Sequence, residues 1–217
     1  MRTSRRAVLS SVGTAASIGV AGCLGGDGGS GIPDYDCDTS SSTESVSELP
    51  RPVIGDPEAD VTVAVFKDFA CPHCATWELE ESPTIESEYV DPGIIRYEHW
   101  DFPIPVHDTW SPGVANAARG VQDRQGDEAF FAFAKTAFEH HESYSWDIVG
   151  YAAEEAGGDP CSAIRDGESG TYEAVVSADR EAGVGRGVQG TPTVFVNGEP
   201  VSAPTADAVS TAIENAR

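Results

Sequence analysis

Basic residues are scarce in this 217-residue chain: 13 Lys and Arg stand against 36 Asp and Glu, for a formal net charge of −23. Only two lysines occur, Lys67 and Lys135. This balance argues against a nucleic-acid partner, because phosphate binding calls for the opposite sign. No apolar run is long enough to span a bilayer; Ala7 to Val20 is short and diluted by Ser, Thr and Gly. Of five cysteines, only Cys71 and Cys74 are closely spaced. No second Cys-x-x-Cys or His-x-x-x-His accompanies them, so a zinc site would lack half its ligands. A c-type haem attachment is excluded because Ala75, not His, follows Cys74. No metal site and no cofactor site is therefore expected.

The acid excess itself is informative. Such charge would destabilise a compact fold by self-repulsion, unless concentrated salt shortens the reach of each charge to a few ångströms. Acid excess with almost no lysine resembles the composition of salt-adapted, haloarchaeal proteins. At the N-terminus, Arg2, Arg5 and Arg6 form a basic region before the apolar stretch. Ser4-Arg5-Arg6-Ala7-Val8-Leu9 resembles a twin-arginine export signal. Val20-Ala21-Gly22-Cys23 resembles a lipobox, in which Cys23 becomes the lipidated first residue. Residues 1–22 are thus expected to be a signal peptide. Residues 23–50, rich in Gly, Ser, Thr and Asp, are expected to form a disordered tether, since they offer little apolar surface to bury. Export leads to a disulfide-permissive compartment. Two readings of Cys37 and Cys161 remain open there: a bridge pinning the tether to the domain, or two free thiols.

The chain is organised around Val61 to Cys74. Val61-Thr62-Val63-Ala64-Val65-Phe66 is a β-branched run expected to form a strand buried on both faces. After Asp68–Ala70 it delivers Cys71-Pro72-His73-Cys74 to the start of a helix, where Pro72 suits the first turn. A sulfur at that position meets free amide N–H groups and the positive end of the helix dipole. Both stabilise a thiolate, the form that attacks disulfides. Protonated His73 would add a further donor or charge. A comfortable thiolate favours the reduced pair and so makes its disulfide an oxidant. The alternatives for this segment are a structural disulfide or a surface Cu or Zn site using Cys71, His73 and Cys74.

From Arg51 to Arg217 the pattern is that of one α/β domain. Ser82-Pro83 should kink or restart the helix, Asp91-Pro92-Gly93 should close it, and Ile94 to Trp100 should be a second strand. Together these make a right-handed βαβ unit with the cysteines at a strand's C-terminal edge. Residues from about 106 to 183 read as a helical insertion. Ser111-Pro112 and Asp159-Pro160 look like N-caps followed by Pro, and Phe130, Phe133, Ala134 and Ala137 share one face. His99 reads as a strand residue, His107 as a loop residue, and His140-His141 as a helix end. Thr193 to Val196 resumes the sheet. Asn197-Gly198 marks a hairpin, and Thr205 to Ala216 forms an amphipathic final helix.

Two separated segments carry a resemblance. Phe66-Lys67-Asp68-Phe69-Ala70-Cys71-Pro72-His73-Cys74 and Gly190-Thr191-Pro192-Thr193-Val194-Phe195-Val196-Asn197-Gly198 together resemble the DsbA-like thioredoxin-fold oxidoreductases. The resemblance implies a thioredoxin fold with a helical insertion between its βαβ and ββα halves. It further implies that Cys71 attacks, Cys74 resolves and His73 stabilises the thiolate. Pro192 would be a cis-proline facing the cysteines, with Thr191 offering backbone groups to an extended substrate. One departure stands out: Val65 occupies the strand position where many relatives keep a buried acid. Proton delivery to Cys74 is left open among water, His73 and Asp68. The function expected is a thiol–disulfide oxidoreductase, held on the outer face of the cell membrane by its lipid. Its partners would be reduced or unfolded exported proteins and a redox partner that resets the pair. The alternative direction is a reductant serving metal-site or cytochrome assembly.

Overall fold

The computed structural model describes residues 31–40 and 43–217. The twin-arginine segment and Cys23 lie outside the described residues. Among the described residues, five strands form one mixed sheet: β1 (Val53–Gly55), β2 (Val61–Lys67), β3 (Ile95–Asp101), β4 (Thr193–Val196) and β5 (Glu199–Pro200). Their spatial order is β1-β3-β2-β4-β5. The central strand β2 runs parallel to β3, with Val63 opposite Tyr97 and Lys67 opposite Asp101. It is antiparallel to β4, with Val65 opposite Val194. Flanked on both edges and covered on both faces, β2 needs apolar residues at successive positions, which explains its continuous run. Asn197 and Gly198, with φ of 48° and 85°, make the tight turn between β4 and β5.

The element after β2 starts as α1 (Pro72–Thr76), widens into a π-helical turn over Trp77–Glu81, resumes as α2 (Ser82–Ile85) and widens again over Glu86–Val90. The Ser82 N–H bonds to the Trp77 carbonyl five residues back. Pro83 explains the first widening: it has no N–H to donate and its ring displaces the carbonyl four residues earlier. The helical insertion comprises α3 (Trp110–Gln125), α4 (Asp127–Glu139), α5 (Trp146–Glu155), α6 (Pro160–Ser169) and α7 (Glu173–Gly185). Asp159 caps α6 by accepting the Ser162 N–H at 2.8 Å, with Pro160 next in line. The start of α3 differs from the expected Ser111. Its N-cap is Thr109, and the ring Nδ1 of His107 accepts the N–H groups of Thr109 and Trp110, both at 3.2 Å. The imidazole satisfies donors one turn earlier than a Ser111 cap would, leaving Ser111 and Pro112 inside the first turn. The chain closes with α8 (Ala206–Ala216), capped by Thr205.

Three apolar clusters hold these layers together. Val61, Val63, Val65 and Tyr97 pack against Trp77, Ile85, Val209 and Ile213 from the helices on one sheet face. On the opposite face, Phe66, Trp100, Phe102 and Phe195 pack among themselves and against Ala182 of α7. The third cluster is the interior of the insertion, where Phe130, Phe133, Ala134 and Ala137 are all fully buried. Cys71 and Cys74 belong to that third cluster. α3 and α6 cross closely enough that a Cβ at Gly167 would lie 2.8 Å from the Gly113 carbonyl oxygen.

The tether expectation is corrected for its described part. Residues from Ile32 onward belong to the same compact unit as the rest of the domain. A Cys37–Cys161 disulfide joins this segment to α6. The Tyr35 N–H donates to Asp147 at 3.0 Å, its hydroxyl bonds to Glu154, and the Val46 N–H reaches the Thr171 carbonyl at 2.8 Å. Composition alone missed this, because specific polar contacts, one covalent bond and the Tyr35 ring against Gly150 hold the segment down. It ends at a buried ion cluster. Fully buried Arg119 donates to Asp101 at 2.6 Å, pairs with Asp179, and reaches the Pro50 carbonyl at 3.2 Å. Such multiple pairing is what a buried guanidinium requires. Burial alone would raise the Asp101 carboxyl, but Arg119 and His99 more than offset it and hold it at about 2.

Candidate active site

β2 ends beneath the third apolar cluster, and Asp68 makes the turn out of it. The Asp68 carboxylate is buried; Oδ1 accepts the Ala70 N–H and Oδ2 the Ile104 N–H, both at 2.7 Å. These bonds fix the loop that carries Cys71. The Tyr144 hydroxyl, from the turn between α4 and α5, adds a bond to the Phe69 carbonyl at 3.1 Å. Cys71 then sits at the N-cap of α1 with extended backbone (φ −85°, ψ 120°), and Pro72 opens the helix. Both Cys71 and Cys74 are free thiols and both are buried, with residue exposures of 4% and 0%.

The two sulfurs have opposite surroundings. The Cys74 thiol donates to Cys71 and contributes most to lowering it; burial works against that, and Thr191 and the N–H groups of Cys74 and His73 lower it further, to about 5. Cys74 is raised well above the ordinary thiol range, first by burial and then by the neighbouring Cys71. Its sulfur accepts the Asp68 N–H at 3.4 Å. The arrangement therefore separates a thiolate poised to attack from a thiol that keeps its proton. His73 reaches Cys71 through its backbone N–H, while the residue itself is exposed. The contribution of His73 seen in the structure is thus a main-chain one, from the helix N-terminus.

Thr191 and Pro192 come from the far side of the sequence. The Thr191–Pro192 peptide bond is cis, and the Cys71 thiol donates to the Thr191 carbonyl at 3.5 Å. Thr191 and Pro192 also line a cleft of about 500 Å³ with Arg186, Val188 and Phe195. The structure therefore brings Cys71, Cys74, Thr191 and Pro192 together, whereas Cys23 lies outside the described residues. Val65 is fully buried in apolar surroundings, so its position supplies no acid to the site. His99 lies within β3, as expected. Fully buried, its Nε2 lies 3.0 Å from Asp101, and burial pushes the ring down to about 4. Among the described residues, no group of three or more His, Cys, Asp or Glu side chains is arranged to hold a metal ion. Nor is any helix among them long and apolar enough to cross a membrane.

A thioredoxin family model matches residues 47–215. The chain belongs to this thioredoxin family. It is similar to the probable disulfide bond formation protein D of Bacillus cereus, at 28% identity over 168 residues, covering 74% of this chain and 76% of that protein. It is also similar to disulfide bond formation protein D of Bacillus subtilis, at 25% identity over 169 residues, with coverage of 73% and 75%. Among solved structures, oxidised BdbD from Bacillus subtilis superposes with a TM-score of 0.70 at 24% identity, covering 80% of this chain and 98% of that one. DsbA from Chlamydia trachomatis gives 0.65 at 19% identity, with coverage of 84% and 96%. The fold is thus a DsbA-like thioredoxin fold with a helical insertion.

Proposed function

We propose that this DsbA-like thiol–disulfide oxidoreductase works outside the cytoplasm as a donor of disulfides to exported proteins. Cys71 is the attacked and attacking sulfur, Cys74 the resolving one, and Thr191 and Pro192 the platform for an extended substrate. The observation that carries this reading is the contrast between the paired sulfurs: Cys71 is lowered to about 5 while Cys74 is raised. In the donating direction the Cys71–Cys74 disulfide is attacked at Cys71 by a substrate thiolate. The old S–S bond breaks, a mixed disulfide forms, and Cys74 leaves and takes up a proton. A second substrate thiolate then attacks the substrate sulfur of the mixed disulfide. It releases Cys71 as thiolate and leaves the substrate oxidised by two electrons. Because Cys71 is the better leaving group, electrons settle on this protein and the substrate keeps the disulfide. A redox partner must then reoxidise the pair.

The extracytoplasmic setting is supported by the twin-arginine-like and lipobox-like N-terminal segments. Lipidated Cys23 would hold the domain at the outer membrane face, and the acid excess suits concentrated salt. Equilibration of the purified protein against glutathione redox buffers tests the direction. Disulfide donation predicts a potential more oxidising than the glutathione couple. A strongly reducing, thioredoxin-like potential would reverse the assignment and favour service as a reductant.

A further inference from the structure

Positive charge is scarce in this chain, and nearly all of its described arginines are engaged within the fold. Arg51, Arg96, Arg119, Arg124 and Arg217 pair with carboxylates, and Arg165 and Arg180 donate to main-chain carbonyls. Among the described residues, the Arg186 guanidinium has neither kind of partner. A chain with 36 acidic residues leaves this cation without one.

The place of Arg186 gives that a meaning. It is exposed, caps the C-terminal end of α7 and precedes Thr191 by five residues. It lines the cleft of about 500 Å³ that Thr191 and Pro192 share, and it is the one charged residue among the described lining. Aromatic rings, not ions, hold it there. Its Cζ lies 4.2 Å from the ring centroid of Trp100 and 5.9 Å from that of Phe66. Trp100 is itself fixed: its indole N–H donates to Glu98 at 2.9 Å, and the Arg51 guanidinium lies 3.4 Å from the same ring. Stacking uses the flat face of a guanidinium and leaves the N–H donors along its edge free. It also restrains a long side chain in advance, which reduces the ordering cost of binding a ligand. A purely structural cation at a helix C-terminus would need the stack but not the open cleft in front of it.

We infer that Arg186 selects substrates by binding the carboxylate of an aspartate or glutamate close to the reactive cysteine. The Cys71 sulfur lies 3.5 Å from the Thr191 carbonyl, so a strand laid beside Thr191 brings its cysteine to Cys71. An extended strand advances about 3.3 Å per residue, so an acid within four residues of that cysteine has about 13 Å of reach along the cleft. The guanidinium edge meets a carboxylate through two parallel N–H···O bonds. Concentrated salt screens charge beyond about 3 Å, so direct contact is the form in which charge still sorts substrates there. Arg186 thus determines specificity, while the electrons pass through Cys71 and Cys74.

This inference rests on the disulfide-donor reading, and one assay separates the two. Oxidised protein in about 1 M KCl is mixed with reduced two-cysteine peptides that differ only in Asp, Ser or Lys at one offset from both cysteines. The offset is moved through four positions on either side, and the second-order rate of peptide oxidation is followed by mass spectrometry. The parent should oxidise the Asp peptide about 5- to 10-fold faster than the Lys peptide at one or more offsets. Arg186→Glu should invert that ratio in favour of Lys, and Arg186→Gln should bring it close to one. The ratio is the readout because loss of the stack on Trp100 alone would slow all three peptides alike. Arg186→Gln also serves if the charge-reversed variant folds poorly. No offset at which the parent favours Asp, or a preference that Arg186→Gln retains, would overturn the role of Arg186. Failure of the parent to oxidise any peptide, serine included, would overturn the disulfide-donor reading and this inference with it.

Discussion

The pH dependence of Cys71 gives the sharpest prediction, because its thiolate sits at about 5 where an ordinary thiol lies at 9.0. At pH 6 about nine-tenths of Cys71 is then thiolate, against about a thousandth of an ordinary thiol, an advantage on the order of 900-fold. Each thiolate is also less nucleophilic. With a Brønsted slope of about 0.45, four units cost roughly 60-fold. The net expectation is alkylation about 15-fold faster than a free thiol at pH 6, shrinking to near parity at pH 7. The diagnostic is therefore the midpoint, read by iodoacetamide labelling and mass spectrometry across pH 3 to 10. Cys74→Ala removes the largest contribution to the lowering and should move the midpoint upward, erasing the advantage at pH 6. A midpoint near that of a free thiol in the parent, or no movement in Cys74→Ala, would refute the reasoning. The same shift links to folding. A group depressed in the native state adds stability that is present above its unfolded value and lost as pH falls through about 5. The reduced protein should therefore lose stability over that window relative to Cys71→Ser.

Other parts of the molecule are equally open to measurement. The Cys37–Cys161 bridge spans 124 positions, so removing it in a Cys37→Ser/Cys161→Ser double variant should cost about 5 kcal/mol by loop entropy. In a chain of this size that lowers Tm by roughly 10–20 °C, and a loss under about 1 kcal/mol in denaturant titration would mean the segment is not held as described. His99 is depressed to about 4, so it adds stability above its unfolded value of about 6.5 that is lost as pH falls through 4. His99→Gln should flatten that part of the stability–pH curve, and an unchanged slope would count against a buried neutral ring. Gly167→Ala would press a methyl onto the Gly113 carbonyl and should destabilise by about 1–3 kcal/mol, read as a lower urea midpoint; a neutral result would place α3 and α6 further apart.

How much of this was legible in sequence depended on whether a local rule carried the information. The β2 run, the Cys71 helix start, the Asn197-Gly198 turn and the Asp159-Pro160 cap each follow from backbone chemistry within a few residues. The site's second half, Thr191-Pro192, was legible by resemblance to a family. Contacts between distant charges were not. Lys67 reads as a strand end and Glu78 as one acid among many, and periodicity does not say that they meet. Arg119, Asp101 and Asp179 are likewise far apart in sequence and close in space. The N-terminal segment failed for a related reason: a polar composition predicts disorder unless specific partners exist, and Cys161, Asp147 and Thr171 supply them more than a hundred residues away. His107 displaced Ser111 as the cap of α3 because a ring nitrogen can accept what propensity assigns to hydroxyls.

The account depends on Cys71 and Cys74 passing two electrons to and from foreign thiols. Oxidation of a reduced dithiol peptide by stoichiometric oxidised protein, followed by mass spectrometry beside Cys71→Ser, tests this most directly. The account predicts rapid transfer of one disulfide per protein by the parent and none above background by Cys71→Ser. Equal rates in the two would contradict it.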